Sequence, residues 1–260
     1  MGGGAGPRAG RGGPAGGPRR ARRRPGHPET GKRLRGAGQM TDPAGRPSYV
    51  IRPVAADFEP GDPQAPWSAL TPLPVDRYLW LDNGYRPAVE TRLGWTPDFL
   101  YVRFRVAEKR VRVRYTAFQD PVYKDSCVEF FVDAFPEKRL GYLNFETNAA
   151  GTLLAAFGPD RSRRRPLWPE ELAGFETAAS IRGPVDGEYG AEAWTLEYRI
   201  PLDLFRRIYG DDIRTGHRAR ANFYKCGDET EVPHYGAWSP VGTPAPDFHR
   251  PEFFGELVFG

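Results

Sequence analysis

The sequence has few cysteines and no long apolar segment. Cys127 and Cys226 are the only two cysteines in 260 residues, which is too few for a disulfide-rich secreted scaffold and is typical of a reducing compartment. No window approaches the roughly 20 apolar residues of a transmembrane helix, and the basic N-terminus lacks the apolar core of a signal peptide. We therefore expect no membrane partner and, for the chain as written, a cytoplasmic location, with export left open.

Residues 1–40 are poor in the large apolar side chains that a folded core requires. They hold ten of the 37 basic residues and one of the 33 acidic residues, and they are rich in glycine and proline. Such a segment cannot bury enough apolar surface to offset its chain entropy. We therefore predict a disordered tail over 1–40 and one folded domain over 41–260. The alternative is that residues 1–39 are an upstream extension that is not normally translated, because Met40 stands where ordered sequence begins.

The basic character of the chain belongs to this tail. Outside it, 27 basic and 32 acidic residues remain, so the domain itself is mildly acidic. A domain that binds nucleic acid normally carries positive charge on the folded surface that meets the phosphates. We therefore expect no nucleic-acid partner for the domain, and only weak binding through the Arg/Gly-rich tail.

Apolar residues in the domain recur mostly with a period of two. In FLYVRFRVAE, for example, Leu100, Val102 and Phe104 share one face, as in a half-buried strand. Similar short runs are separated by Pro/Gly/Asp clusters, and they lie at 78–82, 88–95, 125–133, 142–148, 152–157, 194–201, 219–226 and 255–259. About ten short strands with turns between them predict an all-β fold, a two-sheet antiparallel β-sandwich. Only residues 201–210 have the pattern of a helix, and that helix is short.

Polar side chains share one face on three of these predicted strands. Carboxylates and amides held in fixed positions suit the bidentate hydrogen bonds that neighbouring sugar hydroxyls offer. The pattern therefore indicates a saccharide-binding sheet face, and an ordinary solvated face is the alternative. The side chains concerned are Glu129, Asn144, Glu146, Asn148, Asn222 and Tyr224.

Several runs resemble, in order and spacing, the motifs of the carbohydrate-binding modules of family 9. These runs are DSCVEFFVD, NFETN, RANFYKCGD, AWSP and FHRPEFFGEL, and the resemblance covers roughly residues 49–260. It implies a DOMON-like β-sandwich of jelly-roll type and non-catalytic binding of a mono- or oligosaccharide. The family is known mainly from xylanases, which links it to xylan and cellulose breakdown. Calcium is a cofactor that the resemblance raises without indicating ligands; the residues themselves predict no cofactor.

The resemblance also implies roles for particular residues. Family members hold the sugar between two aromatic side chains, and the matching positions here are Tyr123 and Phe248. Both rings are smaller than the tryptophans of the best-known members, so we expect weaker stacking. Glu129 matches a glutamate that accepts hydrogen bonds from hydroxyls, and Asn148 matches an asparagine on the next polar strand. Glu146 stands where the family pattern has an arginine, which reverses the sign of one contact.

Two other functions stay open from the residues alone. Glu129 and Glu146 on one face would suit the carboxylate pair of a glycoside hydrolase, although we assign no catalytic residue. A metal- or thiol-dependent site would use Cys127, Cys226, His234 and His249, although the spacing of these four residues matches no compact zinc motif. The sequence does not indicate an oligomeric state.

Overall fold

The structure is a computed structural model, and it describes residues 40–42 and 45–260. The predicted tail therefore lies outside the described residues, apart from Met40. The strands of the described part are β1 (Met40–Thr41), β2 (Pro47–Pro53), β3 (Leu73–Pro74), β4 (Arg77–Tyr78), β5 (Ala88–Trp95), β6 (Phe99–Ala107), β7 (Arg110–Val113), β8 (Cys127–Asp133), β9 (Tyr142–Asn148), β10 (Leu153–Gly158), β11 (Arg165–Pro166), β12 (Glu176–Ala179), β13 (Val185–Glu188), β14 (Trp194–Pro201), β15 (Arg218–Cys226), β16 (Tyr235–Ala237) and β17 (Gly255–Phe259).

One α-helix, α1, accompanies these strands in the described part of the chain and spans Leu202–Tyr209. It ends where Gly210 adopts a φ of +73°, a left-handed conformation that glycine accepts without strain. The predicted all-β sandwich with one short helix is thus confirmed. Among residues 40–42 and 45–260, no helix combines the length and apolar character needed to cross a bilayer.

Two sheets make up the sandwich, and β2 joins them. The first sheet has the strand order β11–β10–β9–β8–β15–β17–β2, and the second continues as β2–β5–β6–β14–β12. Residues 48–51 of β2 pair with β17, whereas Arg52 and Pro53 pair with β5. Both of these pairings are parallel, so β2 departs from the antiparallel arrangement that the sequence predicts.

Facing aromatic side chains fill the space between the two sheets. The ring centroid of Phe223 on β15 lies 6.1 Å from that of Phe104 on β6, and Phe145 on β9 lies 6.5 Å from Tyr198 on β14. Phe104 belongs to the apolar face that the period of two assigns to β6, and its exposure is 0%. Each such side chain contributes roughly 1.5–3 kcal/mol through removal of apolar surface from water.

The opposite face of the first sheet is also buried, which the alternation in sequence did not indicate. All seven residues of β9 are buried, and so are six of the seven in β8. A second apolar cluster covers this outer face, and in it residues from outside the strands, including Val122, Val241, Phe248 and Phe254, pack against outward side chains of the sheet, including Phe131, Tyr142 and Tyr224. We call this cover the loop layer. The face that the sequence analysis assigned to saccharide binding, with a solvated face as the alternative, is therefore covered by other residues, because a period of two reports where side chains point and not what lies above them.

Candidate functional site

A cavity of about 260 Å³ opens within the loop layer, next to the outer face of β8 and β9. This volume is close to the lower limit of about 300 Å³ for small-molecule sites. Glu129, Glu146 and Cys226 reach the cavity from the sheet, whereas Tyr123 reaches it from a single 3-10 turn between β7 and β8 and Phe248 from the loop before β17. The cavity thus brings together four residues that the sequence analysis proposed for one site.

Glu129 and Glu146 form a buried carboxyl pair in this cavity. They are directly opposed in the register of β8 and β9, and their exposures are only 3% and 4%. Burial, followed by the charge of Glu146, raises the pKa of Glu129 well above its usual range. Burial also raises the pKa of Glu146 to about 7, against the opposing effect of Arg164. Near neutral pH the pair therefore retains a proton, and it can both donate to and accept from a ligand hydroxyl.

Polar neighbours hold each carboxyl in place. The thiol of Cys226 donates to Oε1 of Glu129 at 3.1 Å. Nδ2 of Asn144 donates to Oε1 of Glu146 at 3.0 Å, and Nη1 of Arg164 lies 3.5 Å from the same oxygen. Because these contacts occupy only one oxygen of each carboxyl, the second oxygen is left for a ligand.

Arg164 is a site residue that the sequence analysis missed. It lies between β10 and β11 in the run RSRRRP, where Asp160 accepts the backbone N–H groups of Ser162 and Arg163 at 3.0 Å each. This turn aims the guanidinium inward, where it also donates to Oδ1 of Asn144 at 3.0 Å. The only signal in the sequence was the arginine run itself, which does not reveal which of its members turns toward the sheet.

Three aromatic rings border the cavity, and two of them are the predicted platforms. Tyr123 and Tyr235 are partly exposed, whereas Phe248 is 8% exposed. Phe248 stacks on Tyr224 with ring centroids 4.0 Å apart and an interplanar angle of 11°, and the Tyr224 hydroxyl donates to the Phe248 carbonyl at 3.0 Å. Trp80 packs beside Phe248 at 5.8 Å. Tyr224 therefore supports the Phe248 platform from behind and does not itself border the cavity.

The three predicted asparagines also lie behind the cavity lining. Asn144 supports the carboxyl pair from the sheet. Asn148 donates to Asp125 at 3.0 Å, and this bond ties β9 to the loop that carries Tyr123. Asn222 donates to the Ser239 carbonyl at 2.9 Å and accepts from the Ser239 N–H at 2.9 Å. These amides hold the loop layer in position, and a ligand would reach them only after those bonds break.

The four residues of the predicted metal alternative are divided between two places. Cys127 and Cys226 are directly opposed on β8 and β15, and both are free thiols. Nε2 of His234 instead lies 2.7 Å from Nζ of Lys225, in a separate buried cluster. His249 borders the cavity, where its Nδ1 is hydrogen-bonded to the Tyr142 hydroxyl at 2.8 Å and burial lowers its pKa to about 2.

Comparisons with known proteins agree with the resemblance seen in the sequence. The profile of Carbohydrate-binding family 9 matches residues 67–259. The crystal structure of a candidate carbohydrate-binding protein from Bacteroides uniformis ATCC 8492 is similar to this chain, with a TM-score of 0.74 and 32% identity over 83% of this chain and 100% of that chain. A search of curated proteins found no match.

Two solved family 9 modules from Caldicellulosiruptor kristjanssonii are also similar. One is in complex with glucose, and it has a TM-score of 0.56 over 82% of this chain and 95% of its own. The other is in complex with cellotriose, and it has a TM-score of 0.55 over 81% of this chain and 93% of its own. Both are 14% identical to this chain, so they support the shared fold and not the contacts in the cavity.

Proposed function

The chain belongs to carbohydrate-binding family 9, and from this membership we propose that the cavity bordered by Tyr123 and Phe248 binds a mono- or oligosaccharide without altering it chemically. One observation carries the proposal: a buried carboxyl pair and three aromatic rings line the same cavity. A pyranose has hydroxyls that both donate and accept hydrogen bonds and C–H faces that pack on aromatic rings. In the cavity, the carboxyl pair offers hydrogen-bond partners for the hydroxyls, and the aromatic rings offer surfaces for the C–H faces.

The proposed contacts follow from the chemistry of each wall. The second oxygens of Glu129 and Glu146 would take two neighbouring hydroxyls, and Arg164 would donate to a third oxygen. Tyr123 and Phe248 would cover the faces of the ring. Because the cavity holds about 260 Å³, we expect it to take the end of a saccharide chain and not its middle. Glucose and its short β-linked oligomers are the first ligands to test, given the glucose and cellotriose in the two solved family 9 complexes, and xylose with its oligomers is tested beside them because of the family's link to xylanases.

The experiment is isothermal titration of the protein with glucose, xylose, cello-oligosaccharides and xylo-oligosaccharides. Each sugar is used with a free reducing end and as its methyl glycoside. We expect saturable binding that Glu129→Gln and Tyr123→Ala weaken by about tenfold or more. Trp168→Ala is the matched control, since Trp168 is 55% exposed and outside the cavity lining. Equal affinity of wild type and both cavity variants would show that the saccharide does not bind in this cavity.

A glycoside hydrolase is the second candidate, favoured by the raised pKa values of two opposed carboxyls in one cavity. Under the binding proposal, prolonged incubation with the same oligosaccharides should release no new reducing ends. Release of product that both Glu129→Gln and Glu146→Gln abolish would replace binding with hydrolysis as the function.

A further inference from the structure

Two thiols and a carboxyl meet at the sheet side of the cavity. Cys127 and Cys226 are directly opposed across β8 and β15, and Glu129 follows two residues after Cys127 on the same face of β8. The two sulfur atoms and a carboxylate oxygen all lie within 4.8 Å of one another. The exposures of Cys127, Cys226 and Glu129 are 0%, 1% and 3%. Sequence alone paired the thiols with histidines, whereas the structure pairs them with Glu129.

We propose that Cys127, Glu129 and Cys226 bind one zinc ion, with the fourth coordination position open to the cavity. Two thiolates and one carboxylate suit zinc, whereas calcium and magnesium prefer oxygen ligands alone. Zn–S bonds of about 2.3 Å and a Zn–O bond of about 2.0–2.2 Å place tetrahedral ligand atoms roughly 3.5–4 Å apart. That separation falls within the 4.8 Å span of the cluster, so small side-chain rotations suffice.

The open position follows from which of the three residues reach the cavity. Glu129 and Cys226 border it, whereas Cys127 lies behind them. An ion held by all three would be accessible from the cavity side only. His249 borders the same cavity, but it lies outside the ligand cluster and is bonded to Tyr142. Water or a hydroxyl of a bound molecule is therefore the expected fourth ligand, as in zinc sites with three protein ligands.

The protonation of the ligand side chains determines how many protons zinc binding releases. A thiol with the ordinary pKa of about 8.5 is protonated at neutral pH, and burial raises the pKa values of both Cys127 and Cys226 above that range in the metal-free protein. Binding of Zn²⁺ replaces each S–H bond by an S–Zn bond and releases one proton per thiol to the buffer, and coordination by the Glu129 carboxylate leaves the proton of the carboxyl pair on Glu146 or releases it as a third. The carboxyl groups of Glu146, Asp228 and Asp247 border the cavity and favour a cation when they are ionised, whereas Arg161 and Arg164 oppose it.

The test uses the full chain, reduced and freed of metal with a chelator that is then removed. Calorimetric titration with Zn²⁺ in two buffers of different ionisation enthalpy gives the stoichiometry and the protons released, and titration with Co²⁺ gives the ligand field. We expect one ion per chain, release of at least about two protons, and a cobalt spectrum with a thiolate charge-transfer band and intense tetrahedral d–d bands. No saccharide is present, so the outcome is independent of the proposed function.

Variants locate the ion. Cys127→Ser and Cys226→Ser should each remove most of the thiolate band and weaken zinc binding by about 100-fold. His249→Gln is the matched control, because it removes a potential ligand from the same cavity and should leave zinc affinity unchanged. Thermal unfolding of the metal-free variants checks that they fold, and the wild-type titrations require no variant. The proposal is overturned by absence of saturable uptake, by a cobalt spectrum without the thiolate band, or by uptake that both serine variants retain.

Discussion

The inner and outer faces of the first sheet are both buried, but they are buried by different partners. On the inner face, Phe130, Phe145 and Phe223 pack against one another and against the second sheet. On the outer face, Glu129 and Glu146 on the same strands lie beneath loops. The inner face is closed by strands whose apolar residues alternate, whereas the outer face is closed by segments without a repeating pattern.

The two faces of the same few strands therefore have different roles, because the inner face contributes to the free energy of folding and the outer face to the proposed ligand binding. Close-packed rings leave no room for a ligand, and they contribute mainly free energy of folding. The loop layer leaves a cavity over polar side chains whose second oxygens are free for hydrogen bonds. We therefore expect inner-face changes to lower the free energy of unfolding and outer-face changes to lower ligand affinity.

The largest expected effect is on the inner face. Phe223 is fully buried and stacks on Phe130 with ring centroids 4.7 Å apart, so Phe223→Ala should lower the free energy of unfolding by about 3–5 kcal/mol. Chemical denaturation measures this loss. Phe118→Ala is the matched control, because Phe118 is 39% exposed and its removal should change stability by only about 0.5 kcal/mol. Equal losses for the two variants would contradict the assignment of the core.

A smaller effect on stability should come from the carboxyl pair on the outer face. Burial raises the pKa of Glu146 from 4.5 in the unfolded chain to about 7 in the folded one. As the pH rises, Glu146 therefore loses its proton at a lower pH in the unfolded chain than in the folded one. Because ionisation then favours the unfolded chain, the metal-free protein should lose stability as the pH rises from about 4.5 to about 7. The loss at pH 8 should be at most about 3 kcal/mol.

Glu146→Gln removes this titration and sharpens the test. Denaturation of wild type and variant at pH 5 and pH 8 should show a larger decline for the wild type. If the two proteins decline equally, Glu146 ionises in the folded protein as it does in the unfolded chain, and any proton that the pair retains near neutral pH is held by Glu129 alone.

Variants of the two predicted aromatic platforms, Tyr123 and Phe248, should differ in their effects on saccharide affinity and on the free energy of unfolding. Tyr123 is partly exposed, so Tyr123→Ala should weaken saccharide binding by about tenfold, or about 1.4 kcal/mol, with little change in unfolding. Phe248 is nearly buried and stacked on Tyr224, so Phe248→Ala should weaken binding and also destabilise the fold by roughly 2–3 kcal/mol. Titration and denaturation of the same preparations distinguish the two. Full affinity in both variants, with easier unfolding, would make both rings core residues only.

The smallest effect is expected from the tail that the sequence predicts. Removal of residues 1–39, which leaves β1 intact, should not change the melting temperature of the domain, because a disordered segment makes few native contacts. Differential scanning calorimetry of the two chains measures this. A drop of more than about 4 °C would correspond to roughly 1–2 kcal/mol and would show that the tail contributes to the fold.

The sequence by itself determined most of the longer strands, the helix and four residues that border the cavity, whereas β2, β7, β12 and β13 lie outside the predicted runs. Alternation along FLYVRFRVAE and WTLEYRIP depends on local backbone geometry, so it could be read without the fold. The family motifs placed Tyr123, Glu129 and Phe248, the period of two placed Glu146, and all four border one cavity. Alternation puts Glu129 and Glu146 on the same face of neighbouring strands, whereas the positions of Tyr123 and Phe248 followed only from the resemblance of the motifs beside them.

Only the tertiary structure decided what covers the outer face. Arg164, the Cys127–Glu129–Cys226 cluster, and the roles of Asn148 and Asn222 behind the cavity all depend on contacts between distant segments. Loops carry no periodic signal, because their conformation is set by individual turns and by whatever surface they meet. Which side chain of RSRRRP turns inward is therefore decided by packing over β9, and no local pattern in the sequence records it.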